Sequence, residues 1–276
     1  MSTTSRKPIL ASHLDFSTIT EVPGNRASAD QLAMLYTRYC LAARYSVGKD
    51  VLEVACGPGI GLGYLAREAR HVVGGDIDEK NLGVAKETYK GNPRIVVERF
   101  DAQAMPFPDR CFDLVILFES IYYLADADSF FREAHRVLRS DGVLLISSVH
   151  SSWPGFHPSP YSQRYYNHCE LAELLARHGF HSTLYAGFPE KTSGLVSRTV
   201  KFVRHMAVRL HLIPRTMKGK EWLKRFFYGK LTPIPREVAE AMARLEPLVE
   251  ISKIPSAKEY RMIYAIGHKS LESATI

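Results

Sequence analysis

The chain reads as an α/β protein, with a mostly parallel sheet and helices on both faces. Three observations predict this. An apolar run, Val51 to Cys56, carries one acid, Glu53, and ends in the glycine cluster Gly57-Pro58-Gly59-Ile60-Gly61, after which Leu62, Leu65 and Ala66 follow at helical spacing. Strand-like and helix-like stretches then alternate to about residue 188. The strand-like stretches are continuous apolar runs, the pattern of strands buried on both faces.

Taken in order, residues 1–27 read as a tail closed by the turn Glu21-Val-Pro-Gly-Asn25. Ser28 with Gln31 three residues on forms a capping-box pattern. Leu32, Leu35, Tyr36 and Tyr39 then recur at helical spacing to about Tyr45. Strands are expected near 50–55, 71–76, 95–100, 112–118 and 143–149, with helices near 60–69, 79–89, 128–138 and 168–178. A sixth strand runs from His181 to Phe188, and Glu259 to His268 is the last, alternating and β-rich. The core is thus expected over 28–188, completed by a last strand and tail in 257–276. Between them, residues 189–256 read as a helical insertion. Phe202, Val203, Met206, Leu210 and Ile213 share one helical face there, opposite Lys201, Arg204 and His205. A second helix is expected from Glu221 to Tyr228, and a third from about Pro235 to Leu245.

Composition narrows the class. Hydrophobic residues make up 46% and charged residues 24% of 276, as in ordinary globular proteins. No apolar run approaches the roughly 18 residues of a membrane span, and no apolar stretch follows Met1 to Lys7 as a secretory signal requires. Cys40, Cys56, Cys111 and Cys169 lack C-x-x-C spacing, so neither a zinc site nor a disulfide framework is expected. A cytoplasmic location is the expectation, with a possible peripheral association with the inner face of the membrane. The net charge of +7 is regional: residues 191–230 hold eleven Lys/Arg and one acid, Glu221. That leaves the rest of the chain slightly acidic.

The glycine loop reads Gly-x-Gly-x-Gly, and no Gly-Lys-Ser/Thr is present, which excludes a P-loop. A carboxylate four residues before Gly57 gains nothing beside a phosphate but favours an ammonium or sulfonium. The loop therefore suits a nucleoside that bears an amino acid.

Here the sequence resembles the class I S-adenosylmethionine-dependent methyltransferases. VLEVACGPGIG matches their first motif, and Val72-Val-Gly-Gly-Asp76-Ile-Asp78 their second strand. Phe100-Asp-Ala-Gln-Ala-Met-Pro-Phe107 and Phe112-Asp-Leu-Val-Ile-Leu-Phe118 follow in family order. Leu138-Arg-Ser-Asp-Gly142-Val-Leu-Leu-Ile-Ser matches the entry to strand five, with Ser-Asp in place of Pro-Gly. The likeness covers about residues 30 to 188. It implies a Rossmann-like seven-stranded sheet whose last strand runs antiparallel between strands five and six, and S-adenosylmethionine as cofactor. By the same resemblance Glu53 faces the methionine amino group directly or through the loop of Gly57 and Gly59. Asp76 and Ile77 face the ribose, Asp101 the adenine amino group, and the Ala102 amide the ring. Phe118 and, from the leading helix, Tyr36 complete the cofactor set. Bland roles remain open for each acid: Glu53 paired to a helix, Asp76 capping the helix at Glu79, Asp101 in a turn.

Reacting residues should follow strands four and five, where ligands lie in open α/β sheets. No Asn/Asp-Pro-Pro-Tyr/Phe and no Pro-Cys follows strand four, which points away from DNA-base or glutamine N-methylation and from covalent cytosine chemistry. An O-methyl acceptor leads, whether small molecule, glycan or lipid-linked. His150 is the candidate base, since histidine titrates near pH 6.5. Glu119 is the second candidate, and Tyr122, Tyr123, Tyr161 and Tyr165 are expected against substrate. His135 reads as structural, and no metal site is expected. RNA methylation and a non-catalytic binding module are the alternatives. The basic insertion at 191–230 reads as a lid over the acceptor, a dock on anionic membrane, or, least favoured, a nucleic-acid surface.

Overall fold

The computed structural model describes residues 21–190 and 231–270. In chain order these form β1 (Arg26–Ala27), α1 (Ala29–Ser46), β2 (Asp50–Val54), α2 (Leu62–Leu65), β3 (His71–Asp76), α3 (Glu79–Thr88) and β4 (Ile95–Arg99). Then come β5 (Phe112–Phe118), α4 (Ala127–Val137), β6 (Leu138–Val149), α5 (His168–Arg177), β7 (Phe180–Pro189), β8 (Thr232–Pro233), β9 (Val249–Glu250) and β10 (Tyr260–Lys269).

The main sheet runs β4-β3-β2-β5-β6-β10-β7-β9. Strands β2 to β6 pair in parallel, while β10 is antiparallel to both β6 and β7. This is the doubly wound α/β architecture expected, with the antiparallel strand where the resemblance put it. The sheet has eight strands rather than seven. The extra one, β9, adds two residues at the β7 edge, where the returning chain pairs Glu250 with Tyr185.

Burial explains the strands. Val51, Leu52, Glu53 and Val54 of β2 and Leu114 to Leu117 of β5 are almost wholly enclosed. Helix α1 starts at the expected capping box: Ser28 Oγ accepts from Gln31 N, and Gln31 Oε1 accepts from Ser28 N. Helix α4 buries the stripe Phe130, Phe131, Ala134 and Val137 against the sheet. Strand order reverses between β2 and β5, and the crevice at their carboxyl ends is where such sheets bind ligands.

Two expectations are corrected. The helix after the glycine loop is regular only over Leu62–Leu65 and continues as turns to Ala69. No helix forms from Pro235 to Leu245. That segment is a strap with backbone donors spent on other elements, Val238 N on Ile60 O (2.9 Å) and Ala241 N on Tyr36 Oη (2.8 Å), as is Glu246 N just after it on Thr37 Oγ1 (3.0 Å). Ala241 sits at φ 54°, a left-handed angle that ends any helical run. The strap lies on α1 and α2, and Glu240 accepts hydroxyls from Tyr36 (2.7 Å) and Tyr64 (2.8 Å). The expected helices at Phe202–Ile213 and Glu221–Tyr228 lie outside the described residues. Among the described residues no helix is long and apolar enough to cross a membrane.

The approach of α1 to the glycine loop leaves no room at Gly61, where a Cβ would overlap the Tyr39 ring. Gly61→Ala is expected to cost about 1–3 kcal/mol by overpacking. Urea denaturation, read as a midpoint shift at constant slope, checks it.

Candidate functional site

A cavity of about 360 Å³ opens at the carboxyl ends of β2, β3 and β5. Glu53 lies at its floor, 2% exposed. Tyr39 Oη donates to its Oε1 at 2.5 Å, while Oε2 has no partner among the described residues. Burial pushes this carboxyl up to about 7, against the pull of Tyr39 and Arg38 and with that of Asp76. The helix pairing left open in the sequence is therefore real, but it occupies only one oxygen.

The glycine loop turns through left-handed angles at Ala55, Gly57 and Gly59. Asp76 ties it down: Gly57 N donates to Oδ2 (2.7 Å) and Asp78 N to Oδ1 (2.8 Å). Helix capping falls instead to Asp78, which accepts from Lys80 N and Asn81 N, so Asp76 stays at the cavity. Burial, opposed by the Asp78 and Gly57 amides, raises the Asp76 carboxyl. Gly57, Ile77, Asp101, Ala102 and Phe118 line the cavity with Glu53 and Asp76. Gly59 does not. It turns the loop against α3, where a Cβ would stand 2.9 Å from Ala85 Cβ, and its carbonyl accepts from Tyr89 Oη (2.7 Å). Asp101 is also the turn residue the sequence allowed, since its Oδ1 accepts from Gln103 N.

Glu119 leaves β5 at φ 51°, an angle that is costly for a residue with a side chain. Its amide is fixed on Ser147 O (2.9 Å), Ser147 Oγ donates to Oε1 (3.2 Å) and Tyr122 Oη to Oε2 (3.3 Å). Burial pushes this carboxyl up to about 7, opposed first by Arg38. Tyr122, Tyr123 and Tyr161 line the same side.

Three expected site residues lie elsewhere. Tyr36 faces the strap, bonded to Glu240 and Ala241. Tyr165 stacks behind Tyr122, with ring centroids 4.7 Å apart. His150 is fully enclosed, with Nδ1 3.3 Å from Tyr260 O and Nε2 3.2 Å from His168 Nδ1. It stands three residues past Ser147, and an odd step along an extended chain turns a side chain to the opposite face.

Tyr39 and Arg38, which the resemblance brings with Tyr36 near the methionine carboxylate or the substrate, do line the cavity. Tyr39 shares the helical stripe with Tyr36, and spacing alone does not tell which meets the ligand. Arg38 is buried against Glu21, the first residue of the turn before α1. Burial works against the guanidinium charge and Glu21 outweighs it. Ser147 carries no motif signal. The cavity wall holds Glu21, Glu53, Asp76, Asp101 and Glu119 against Arg38 as its basic side chain, a field that favours a cationic ligand.

A family model described as a methyltransferase domain matches residues 52–146. The chain is similar to a probable S-adenosylmethionine-dependent methyltransferase of Mycolicibacterium smegmatis, 36% identical over 146 residues, 51% of this chain and 56% of that protein. It is similar to a fatty-acid O-methyltransferase of the same organism, 39% identical over 104 residues, 37% of this chain and 38% of the relative. The chain thus spans about half or less of the length of these curated relatives. Its fold is similar to a solved S-adenosylmethionine-dependent methyltransferase from Thermotoga maritima, described as a possible histamine N-methyltransferase. The TM-score is 0.54 at 14% identity, covering 88% of this chain and 91% of that one. At that identity the likeness is one of fold.

The His150–His168 pair makes a stability prediction. Tyr260 O accepts from His150 Nδ1–H, and His150 Nε2 accepts from His168 Nδ1–H, an arrangement that requires His150 to be neutral. Burial lowers both values from the ordinary 6.5, and for His150 the neighbouring His168 adds to this. Unfolded histidines bind protons first, so this contribution is complete above about pH 6.5 and is lost as pH falls below it. Urea unfolding from pH 8 to 5 is expected to show that loss, and His150→Gln to flatten it.

Proposed function

We propose, from the premise that residues 52–146 are a class I S-adenosylmethionine-dependent methyltransferase domain, that the chain transfers a methyl group from S-adenosylmethionine to a hydroxyl on an apolar acceptor. The observation that carries the cofactor half is the unpartnered Glu53 Oε2, a buried carboxylate oxygen on the floor of an acid-lined cavity. A buried acceptor without a donor is costly and calls for a partner. An ammonium supplies one, and its charge would draw the Glu53 value down from about 7 into the ionised range.

The residues present fit this cofactor. Glu53 would take the ammonium, steadied by Tyr39. Asp76, held by the Gly57 and Asp78 amides, would take the ribose hydroxyls, and Asp101 with the Ala102 amide the base. Bound there, the cofactor supplies a methyl group already activated by positively charged sulfur. The protein's remaining work is to align the acceptor, which supplies much of the rate, and to take its proton.

Glu119 suits the second task. Its value of about 7 lies where a general base is most effective. Each of its oxygens already accepts one hydroxyl, which fixes the carboxylate and leaves lone pairs free. It takes over the role expected of His150. Around it Leu35, Phe118, Tyr123, Leu124 and Tyr161 form an apolar wall, which suits a hydroxyl carried by a ring or chain. The likeness to a fatty-acid O-methyltransferase supports the same direction. A small-molecule or lipid-linked acceptor fits this wall. The membrane and nucleic-acid readings rest on 191–230, outside the described residues.

The test is transfer of tritiated methyl to fractionated apolar hydroxyl compounds, with S-adenosylhomocysteine binding followed by calorimetry. Glu119→Gln is expected to bind S-adenosylhomocysteine normally and to lose about 10²–10⁴-fold in kcat. The wild-type rate should fall as pH drops below about 7, because the base works deprotonated. Unchanged kcat in Glu119→Gln removes the base. A protein that binds no S-adenosylhomocysteine removes the cofactor reading.

A further inference from the structure

Gln103 makes four hydrogen bonds in one small space. Its Nε2 donates to Asp101 Oδ1 (3.0 Å) and Oδ2 (3.2 Å), and its backbone N–H to Asp101 Oδ1 (2.8 Å). Its Oε1 accepts from Asp126 N at 2.6 Å. Asp126 is the N-cap of α4, where its side chain accepts from Ser129 N. Gln103 and Asp101 both line the cavity.

From this geometry we propose that Gln103 is a specificity-determining positioning residue: it locks the Asp101 carboxylate as a pure acceptor, so that the site takes a 6-amino purine and rejects a 6-oxo purine. The proposal rests on the reading above that Asp101 faces the base of the nucleoside.

The direction of the amide is decided by its surroundings. The Asp126 N–H is a donor and needs an oxygen, so Oε1 must point to α4 and the NH₂ group to Asp101. A side-chain NH₂ can only donate. Asp101 therefore meets donors on both oxygens from the protein side. Rotation of the carboxylate would break two bonds at once. Oδ1 already accepts two bonds, so the free lone pair is on Oδ2, which has one long bond. An exocyclic NH₂ supplies the matching donor. A 6-oxo group would set lone pair against lone pair at that position, and the one proton it adds sits on the neighbouring ring N1, outside the place of the exocyclic group. A site built to hydrogen-bond an N–H rejects an analogue lacking it far more strongly than an apolar pocket rejects an extra methyl. The anchor on α4 makes the arrangement rigid, because the cap residue is held by a helix packed on the sheet. Without the Gln103 side chain, Asp101 would keep one backbone donor and be free to rotate.

Calorimetry on the full chain with S-adenosylhomocysteine and S-inosylhomocysteine tests this. The wild type is expected to prefer the amino compound by at least about 100-fold. Gln103→Ala should weaken S-adenosylhomocysteine by about tenfold or more and S-inosylhomocysteine by less than about threefold, so the ratio collapses. Gln103→Asn is one methylene too short to bridge Asp101 and Asp126, and should behave the same way. It provides the second variant if the alanine protein does not fold, as judged by thermal melting. Equal weakening of both ligands, or no change in either, overturns the proposal. Asp101→Ala separates the two levels. If it leaves the wild-type preference intact, the placement of the base at Asp101 fails. If it abolishes the preference while both Gln103 variants keep it, Gln103 alone is refuted.

Discussion

The arrangement of this molecule depends on one enclosed carboxylate. Glu53 sits in a central parallel strand, flanked by β3 and β5, where water does not reach it. A charge there is costly unless something answers it. Helix α1 supplies half of the answer through Tyr39, and that hydroxyl can reach Glu53 only because Gly61 has no side chain to block the ring. The glycine loop is thus built for the close approach of a tyrosine as well as of a ligand. The other half of the answer, at Oε2, is left to whatever enters the cavity.

That requirement explains why a remote segment is wired to the loop. The strap after residue 231 donates to Ile60 O, caps the hydroxyls of Tyr36 and Tyr64 with Glu240, and bonds Thr37. These contacts fasten α1 over β2 and hold Tyr39 in register with Glu53. The strap replaces an expected helix because its backbone donors are committed to α1 and the loop, and no i to i−4 ladder can form with donors spent elsewhere.

Much of this was legible in the chain. Continuous apolar strands, the capping box at Ser28 and the run of motifs from Val51 to Ser147 predict the sheet, its antiparallel strand and the acids at the strand ends. What was not legible depended on side-chain direction. Tyr36 and Tyr39 lie on one helical stripe, and only packing against the strap and against Glu53 tells them apart. His150 follows a strand end as a base should, but its parity places it with Tyr260 and His168. Ser147, on the other face, meets Glu119. The resemblance brings Arg38 with Tyr36 and Tyr39 near the ligand, but spacing alone does not show that Arg38 pairs with Glu21. Pattern reading finds which residues are buried, and finds less readily what they face.

The cavity holds two carboxyls, Glu53 and Glu119, that burial raises to about the same value. Their surroundings nevertheless suit them to opposite behaviour. Glu53 has one bonded and one empty oxygen, so a cation brought beside it drives it toward the ionised form and fixes it there. Glu119 has a hydroxyl on each oxygen, so it needs no cation to answer it. Arg38 reaches both through space and keeps the pair from rising further. Equal values in the empty cavity therefore become unequal once a cationic ligand is bound. On the function proposed above, Glu53 would answer the cation and Glu119 would be the carboxyl left to move a proton.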